Sequence, residues 1–194
     1  MLLFVQIVYW LALSTWFGGV LFVALAAPVI FNTVRDSNPI LPTVLSVNLE
    51  NQHSTLLAGS IVGNLVERLT RIEYACAAAL LLTLTAQWAL IRPMAGANFI
   101  SALLRSALYV GAVGMIVYHA RVLWPRMMAK RQAYLDHADE PDVANPAKDD
   151  FDRYQRESVT VLTITLALLL GMVLFSAGIP VSGGGMTFDF PKSS

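Results

Sequence analysis

Three histidines, His53, His119 and His137, are the residues of this chain best suited to ligate a metal or a haem. No two of them are three or four positions apart, so no helix face presents a pair of imidazoles. A haem or copper ion held in a helical bundle needs inward ligands from facing helices, and only His119 lies inside a strongly apolar stretch. Met127 and Met128 are adjacent and therefore point to different sides of a helix. The single cysteine, Cys76 in RIEYACAAAL, has no intrachain partner and reads as a small buried apolar residue. The chain has no G-x-S-x-G, no H-E-x-x-H and no glycine loop of the phosphate-gripping kind. The expectation is a protein that is not an enzyme and carries no metal or cofactor.

Polar residues in apolar surroundings are the next candidates, because an ionisable group in lipid is a functional hypothesis by default. Glu73 opens one apolar stretch, while His119 and Arg121 close another on the same side. With Gln87 they form a candidate polar cluster: Glu73, Gln87, His119 and Arg121. Glu73 meets the two basic groups there, or it pairs with Arg71, Arg68 or lipid headgroups; the interfacial pairing is preferred. Gln87 and Gln6 are expected to hydrogen-bond between helices, and Arg105 is expected to snorkel to the opposite interface. No acidic residue sits deep in an apolar stretch, which argues against a proton relay.

The elements that carry these groups are long and apolar. Of the 194 residues, 56% are hydrophobic and 13% charged, against about 25% charged in an ordinary soluble domain. Four stretches reach the roughly 20 apolar residues that span a bilayer: about 2–31, 72–91, 99–124 and 159–181. The fold class is therefore an all-α membrane protein, a single domain of four transmembrane helices. The first run exceeds a normal signal-peptide core and lacks a basic leader, so it is expected to be retained. A formal net charge of zero gives no pull on nucleic acid; the primary partner is the lipid bilayer.

Ten of the thirteen Lys and Arg residues lie in or beside the connections 32–71 and 125–158: Arg35, Arg68, Arg71, Arg121, Arg126, Lys130, Arg131, Lys148, Arg153 and Arg156. Only Arg92, Arg105 and Lys192 lie towards the other side. The positive-inside rule puts both connections in the cytoplasm and both termini outside. Asn38-Pro39 and Pro42 disfavour helix early in the first connection. Beyond them Leu56, Leu57, Ile61 and Leu65 recur at helical spacing, as in an amphipathic interfacial helix between the first and second spans. Simple extension of the second span is the alternative. In the second connection Pro141 should end an extension of the third span. Asn145-Pro146 resembles an N-cap and first helical proline for the fourth, with Asp149–Arg153 and Asp152–Arg156 as pairs four apart. The segment 182–194 reads as an external tail anchored by Phe188 and Phe190.

Small residues mark every helix: Gly18 and Gly19, Gly59 and Gly63, Ala75 and Ala79, Ala107 and Gly111, Ala167 and Gly171. Lipid tails give no hydrophobic drive between helices, so such positions mark close helix packing. Pro28 removes the hydrogen bond to the carbonyl of Ala24 and predicts a kink before the first connection.

WFGG, APVIF, AGSIVGNLVER, WPRMMAKR and FDRYQRES follow one another in that order. This series resembles the DUF4149 or TMEM205-like family of bacterial integral membrane proteins over nearly the whole chain. The resemblance assigns the family's characteristic positions to Trp16, Gly18, Gly19, Pro28, Phe31, Ala58, Gly59, Gly63, Arg68, Pro125, Arg131, Phe151 and Ser158. Two features depart from it: Gln155 stands where the family has a histidine, and the connection between Phe31 and Ala58 is longer. The W-x-GG element is also distantly similar to copper-resistance membrane proteins. The resemblance implies a bacterial inner-membrane location and an architecture more than an activity. The expected function is that of an accessory or scaffold subunit, packed against itself or within a larger membrane complex such as an electron-transfer assembly. The alternative is a small transporter or a ligand- or metal-binding membrane protein with a polar pathway between the second and third helices.

Overall fold

Within hydrocarbon a backbone N–H or C=O finds no water, so apolar runs of this composition satisfy their backbone internally as helix. A computed structural model describes residues 2–37, 53–90, 97–137 and 139–177. The expectations for Asn38-Pro39, Pro42, Arg92 and the 182–194 tail fall outside the described residues, as does the side chain of His53.

The elements are α1 (Leu2–Ser37), α2 (His53–Leu90), α3 (Ala97–Tyr118), a π-helical turn (His119–Leu123), α4 (Trp124–Asp136) and α5 (Pro141–Ala177). The π turn joins α3 to α4, so the described residues form four rods, each long and apolar enough to cross a membrane. The rods run 35 to 38 residues. At about 1.5 Å per residue that is over 50 Å, against a hydrocarbon core of about 30 Å. Every rod therefore overhangs the bilayer.

α1 packs along α2, and α5 packs on α3, α4 and α1; α2 and α3 have little backbone proximity. Tyr9, Leu13, Trp16, Leu80, Leu169 and Met172 fill the centre, fully shielded. Leu11, Leu25, Leu82, Val110 and Leu174 point outward, as lipid-facing side chains should.

Three boundaries differ from the sequence reading. Residues 53–71 continue unbroken into the second span, which is the alternative reading of that segment. No Pro interrupts α2, and its inner face buries Ala58, Val66 and Leu69 against the bundle. α1 continues past Pro28 to Ser37. α5 begins at Pro141: the Glu140 carbonyl accepts from the N–H groups of Val143 and Ala144 at 3.0 and 2.9 Å. The first helical position suits a proline, whose missing N–H is an orphan there in any case. Pro146 then lies inside α5 rather than at its start. The π turn has its own sequence cause. Pro125 cannot donate, and its ring crowds the carbonyl four residues back; the Trp124 N–H reaches the His119 carbonyl instead, one residue wider than an α-helix allows.

The two adjacent glycines of α1 have unequal surroundings. A Cβ at Gly19 would lie 2.8 Å from Leu69 Cδ1, whereas one at Gly18 would meet nothing within 4 Å. Gly19→Ala should therefore lower bundle stability, by about 1 kcal/mol for one overpacked methyl, and Leu69→Val should relieve part of that loss in the double variant. Gly18→Ala should be neutral or stabilising by up to about 1 kcal/mol through helix propensity. Thermal unfolding of the three variants in detergent, followed by circular dichroism, checks both expectations.

Candidate functional site

The four residues of the polar cluster do not converge. Glu73 is 3% exposed, and its Oε1 accepts from the indole Nε1 of fully buried Trp16 at 3.3 Å. Arg71, a suggested partner, instead bonds Glu67 one turn earlier at 2.6 Å. His119, 4% exposed, shares a 2.8 Å hydrogen bond between Nε2 and Ser158 Oγ. Gln87 accepts from Arg105 Nη1 at 3.5 Å, and Arg121 faces outward. Arg105 does not snorkel: it is 5% exposed and also donates to the Ser101 carbonyl. A long cation buried in this way can remain only where acceptors surround it. The polar groups of α2 and α3 thus serve separate contacts, with Tyr109 Oη donating to the Ala77 carbonyl at 2.8 Å and Trp88 Nε1 to Ser106 at 3.2 Å.

A different site does form. A cavity of about 540 Å³ opens between α1, α2, α4 and α5, within the roughly 300–1,000 Å³ usual for small-ligand pockets. α1 contributes Val23, Ala24, Ala27, Pro28 and Phe31; α2 contributes Thr55, Leu56, Gly59, Val62, Gly63 and Val66. Trp124, Met127, Met128, Arg131 and Tyr134 come from α4, which the π turn sets in place. α5 supplies an ordered series, with Lys148, Phe151, Asp152 and Gln155 before Ser158, Val159, Leu162 and Leu166. The cavity therefore runs from the charged part of α5 into its apolar part.

Its electrostatics are uneven. Just outside, Asp150 accepts from Lys130 at 2.8 Å and from Arg153 at 3.1 Å. Arg153 thus turns to Asp150 and not to Asp149. The hydrogen bond from Lys130 holds the Asp150 carboxyl below its ordinary value. Inside, Arg131 donates to the Leu56 carbonyl at 3.2 Å, while Lys148 and Asp152 are half-buried along the wall.

Ser158 and His119 have the spacing of a nucleophile and a base, but not the setting. Among the described contacts no side chain orients the second imidazole nitrogen. Ser158 also lies in the middle of α5, where backbone N–H groups are already used by the helix and cannot form an oxyanion hole. Among the described residues, no three His, Cys, Asp or Glu side chains group to hold a metal.

The positions singled out by sequence divide sharply. Pro28, Phe31, Gly59, Gly63, Arg131, Phe151 and Ser158 all line the cavity, and so does Gln155. Trp16 and Ala58 are core residues, and Gly19 admits Leu69. Gly18 and Arg68 are exposed, and Pro125 sits exposed after the π turn. Lys148 and Asp152, read from sequence only as a loop cation and as a partner of Arg156, and Thr55 also line the cavity; helical spacing places them on the same stripe as Gln155 and Gly59. No family model, curated protein or solved structure matches this chain.

The Trp16–Glu73 contact yields a direct test. Glu73→Gln keeps an acceptor oxygen for the indole and should cost under about 1 kcal/mol, whereas Glu73→Leu leaves a buried N–H unpaired, at about 1–3 kcal/mol. Unfolding midpoints in detergent should fall in that order, and tryptophan emission should shift only for Glu73→Leu.

Proposed function

We propose that this chain is a non-catalytic, multi-pass membrane protein whose cavity holds a ligand taken from the membrane boundary. The observation that carries the reading is the cavity wall itself: four helices line it with apolar side chains, and one end bears Arg131, Lys148 and Asp152. The positive-inside distribution supports a cytoplasmic location for that end, with both termini outside. The motif order supports membership of the DUF4149 or TMEM205-like family in a bacterial inner membrane. The first half of α2 overhangs the span and would lie at the cytoplasmic interface.

A second reading, an accessory subunit of a larger membrane complex, draws on Gly18 and Gly114. Both are exposed on the outer faces of the bundle, and nothing lies within 4 Å of a Cβ built on either. A neighbouring helix can approach closely at such places.

One preparation tests both. Gly59 lines the cavity, and a Cβ there meets no atom within 4 Å, so Gly59→Phe should fill the space without breaking α2. Native mass spectrometry of protein extracted from its membrane in mild detergent should show a small-molecule adduct on the wild type and none on Gly59→Phe. Adduct-free wild type would defeat the cavity reading. A complex of fixed stoichiometry would support the subunit reading, and a lone chain would defeat it.

A further inference from the structure

We propose that the cavity selects a single-chain anionic amphiphile, with Arg131 and Lys148 receiving its carboxylate or phosphate headgroup and the α5 side chains Leu162 and Leu166 facing its tail. This rests on the cavity being a ligand site and adds the class of ligand. Three features carry it.

The first is axial order. Lys148 and Leu166 lie on the same helix and line the same cavity; the distance between them along the axis is about 27 Å at 1.5 Å per residue. Half of a roughly 30 Å hydrocarbon core is about 15 Å. The wall therefore has room for one leaflet's depth of chain together with a headgroup.

The second is charge. Two cations, Arg131 and Lys148, line the cavity with one carboxylate, Asp152, leaving a surplus of one positive charge. Just outside, Lys130 and Arg153 are both ion-paired with Asp150, whereas neither Arg131 nor Lys148 has an ion pair among the described residues. Arg131 gives one N–H to the Leu56 carbonyl, and Lys148 has no hydrogen bond or ion pair among the described residues. A planar guanidinium with donors to spare beside a flexible ammonium is suited to a carboxylate or a phosphate monoester.

The third is volume. About 540 Å³ is the size of a site for one small ligand, which favours one chain over the two of a full phospholipid.

Trp124 lines the cavity and supplies the readout. Full-length protein in non-ionic detergent is titrated with a nitroxide-labelled stearate, at a pH above the titration of the carboxylate. Quenching should saturate, and Trp124→Phe should remove the saturable part. Palmitate or lysophosphatidate should displace the probe, while uncharged hexadecanol at equal concentration should not; the stronger anion identifies the headgroup source. Losing a charge-assisted hydrogen bond of about 1.5–3 kcal/mol should weaken binding roughly tenfold or more in Arg131→Gln and Lys148→Gln, and Asp152→Asn should not weaken it. Lys148 is half-buried on α5, so its variant remains informative if Arg131→Gln does not fold. If hexadecanol competes as well as palmitate and the charge variants bind normally, the anionic assignment is overturned while the cavity reading stands. If quenching never saturates, and Gly59→Phe behaves like the wild type, both are overturned.

Discussion

Backbone hydrogen bonding in lipid governs this molecule. A peptide group that leaves helix inside hydrocarbon loses its partner, at a cost of several kcal/mol. The chain accordingly stays helical through every span and for several turns beyond. Rods longer than the bilayer is thick must carry polar faces on their overhanging ends, and the acidic and basic first half of α5 is such a face. The cavity lies where the apolar and polar halves of the rods meet.

Polar contacts between helices hold both ends of the bundle. Near the ends of α1 and α5, Tyr9 Oη and Ser176 Oγ are 2.6 Å apart, and Ser101 donates to the Phe175 carbonyl at 2.9 Å. Together with the Arg105–Gln87, Trp88–Ser106 and Tyr109–Ala77 bonds, these stitch all four rods together on that side. Towards the other end Trp16–Glu73, His119–Ser158, Arg131–Leu56 and Lys130–Asp150 cross between helices, alongside the close approaches of Leu69 to Gly19 and of Trp124 to Gly63 at the cavity rim. Through the π turn before Pro125, α4 presents Trp124, Met127 and Arg131 as wall residues.

The spans were legible because hydropathy is a local property, readable one stretch at a time. The glycines were legible as packing devices, and Gly19, Gly111 and Gly171 do admit leucine side chains from neighbouring helices. Gly18 and Gly59 were indistinguishable from them in sequence, because what fills the space beside a glycine belongs to another helix. The polar cluster misled for the same reason. Sequence puts Glu73 and His119 at the same end of their apolar stretches, but α2 turns Glu73 towards Trp16 of α1, and α3 with its π turn delivers His119 to Ser158 of α5. Pro141 and Pro146 are each acceptable near a helix start, and the Glu140 carbonyl decided between them through contacts that a propensity does not contain. The cavity needs four helices at once, so sequence singled out some of its lining residues but neither the rest nor what they line.

The central claim is that the cavity crosses the boundary between water and lipid, and solvent access along α5 measures it most directly. With Cys76 replaced by serine, single cysteines at positions 155 and 166 are exposed to a membrane-impermeant maleimide in sealed proteoliposomes. The account predicts labelling of Gln155→Cys from the aqueous phase and protection of Leu166→Cys until the bilayer is dissolved. Equal labelling of both would make the cavity an aqueous pocket outside the membrane, and labelling of neither would bury it entirely; each result contradicts the account.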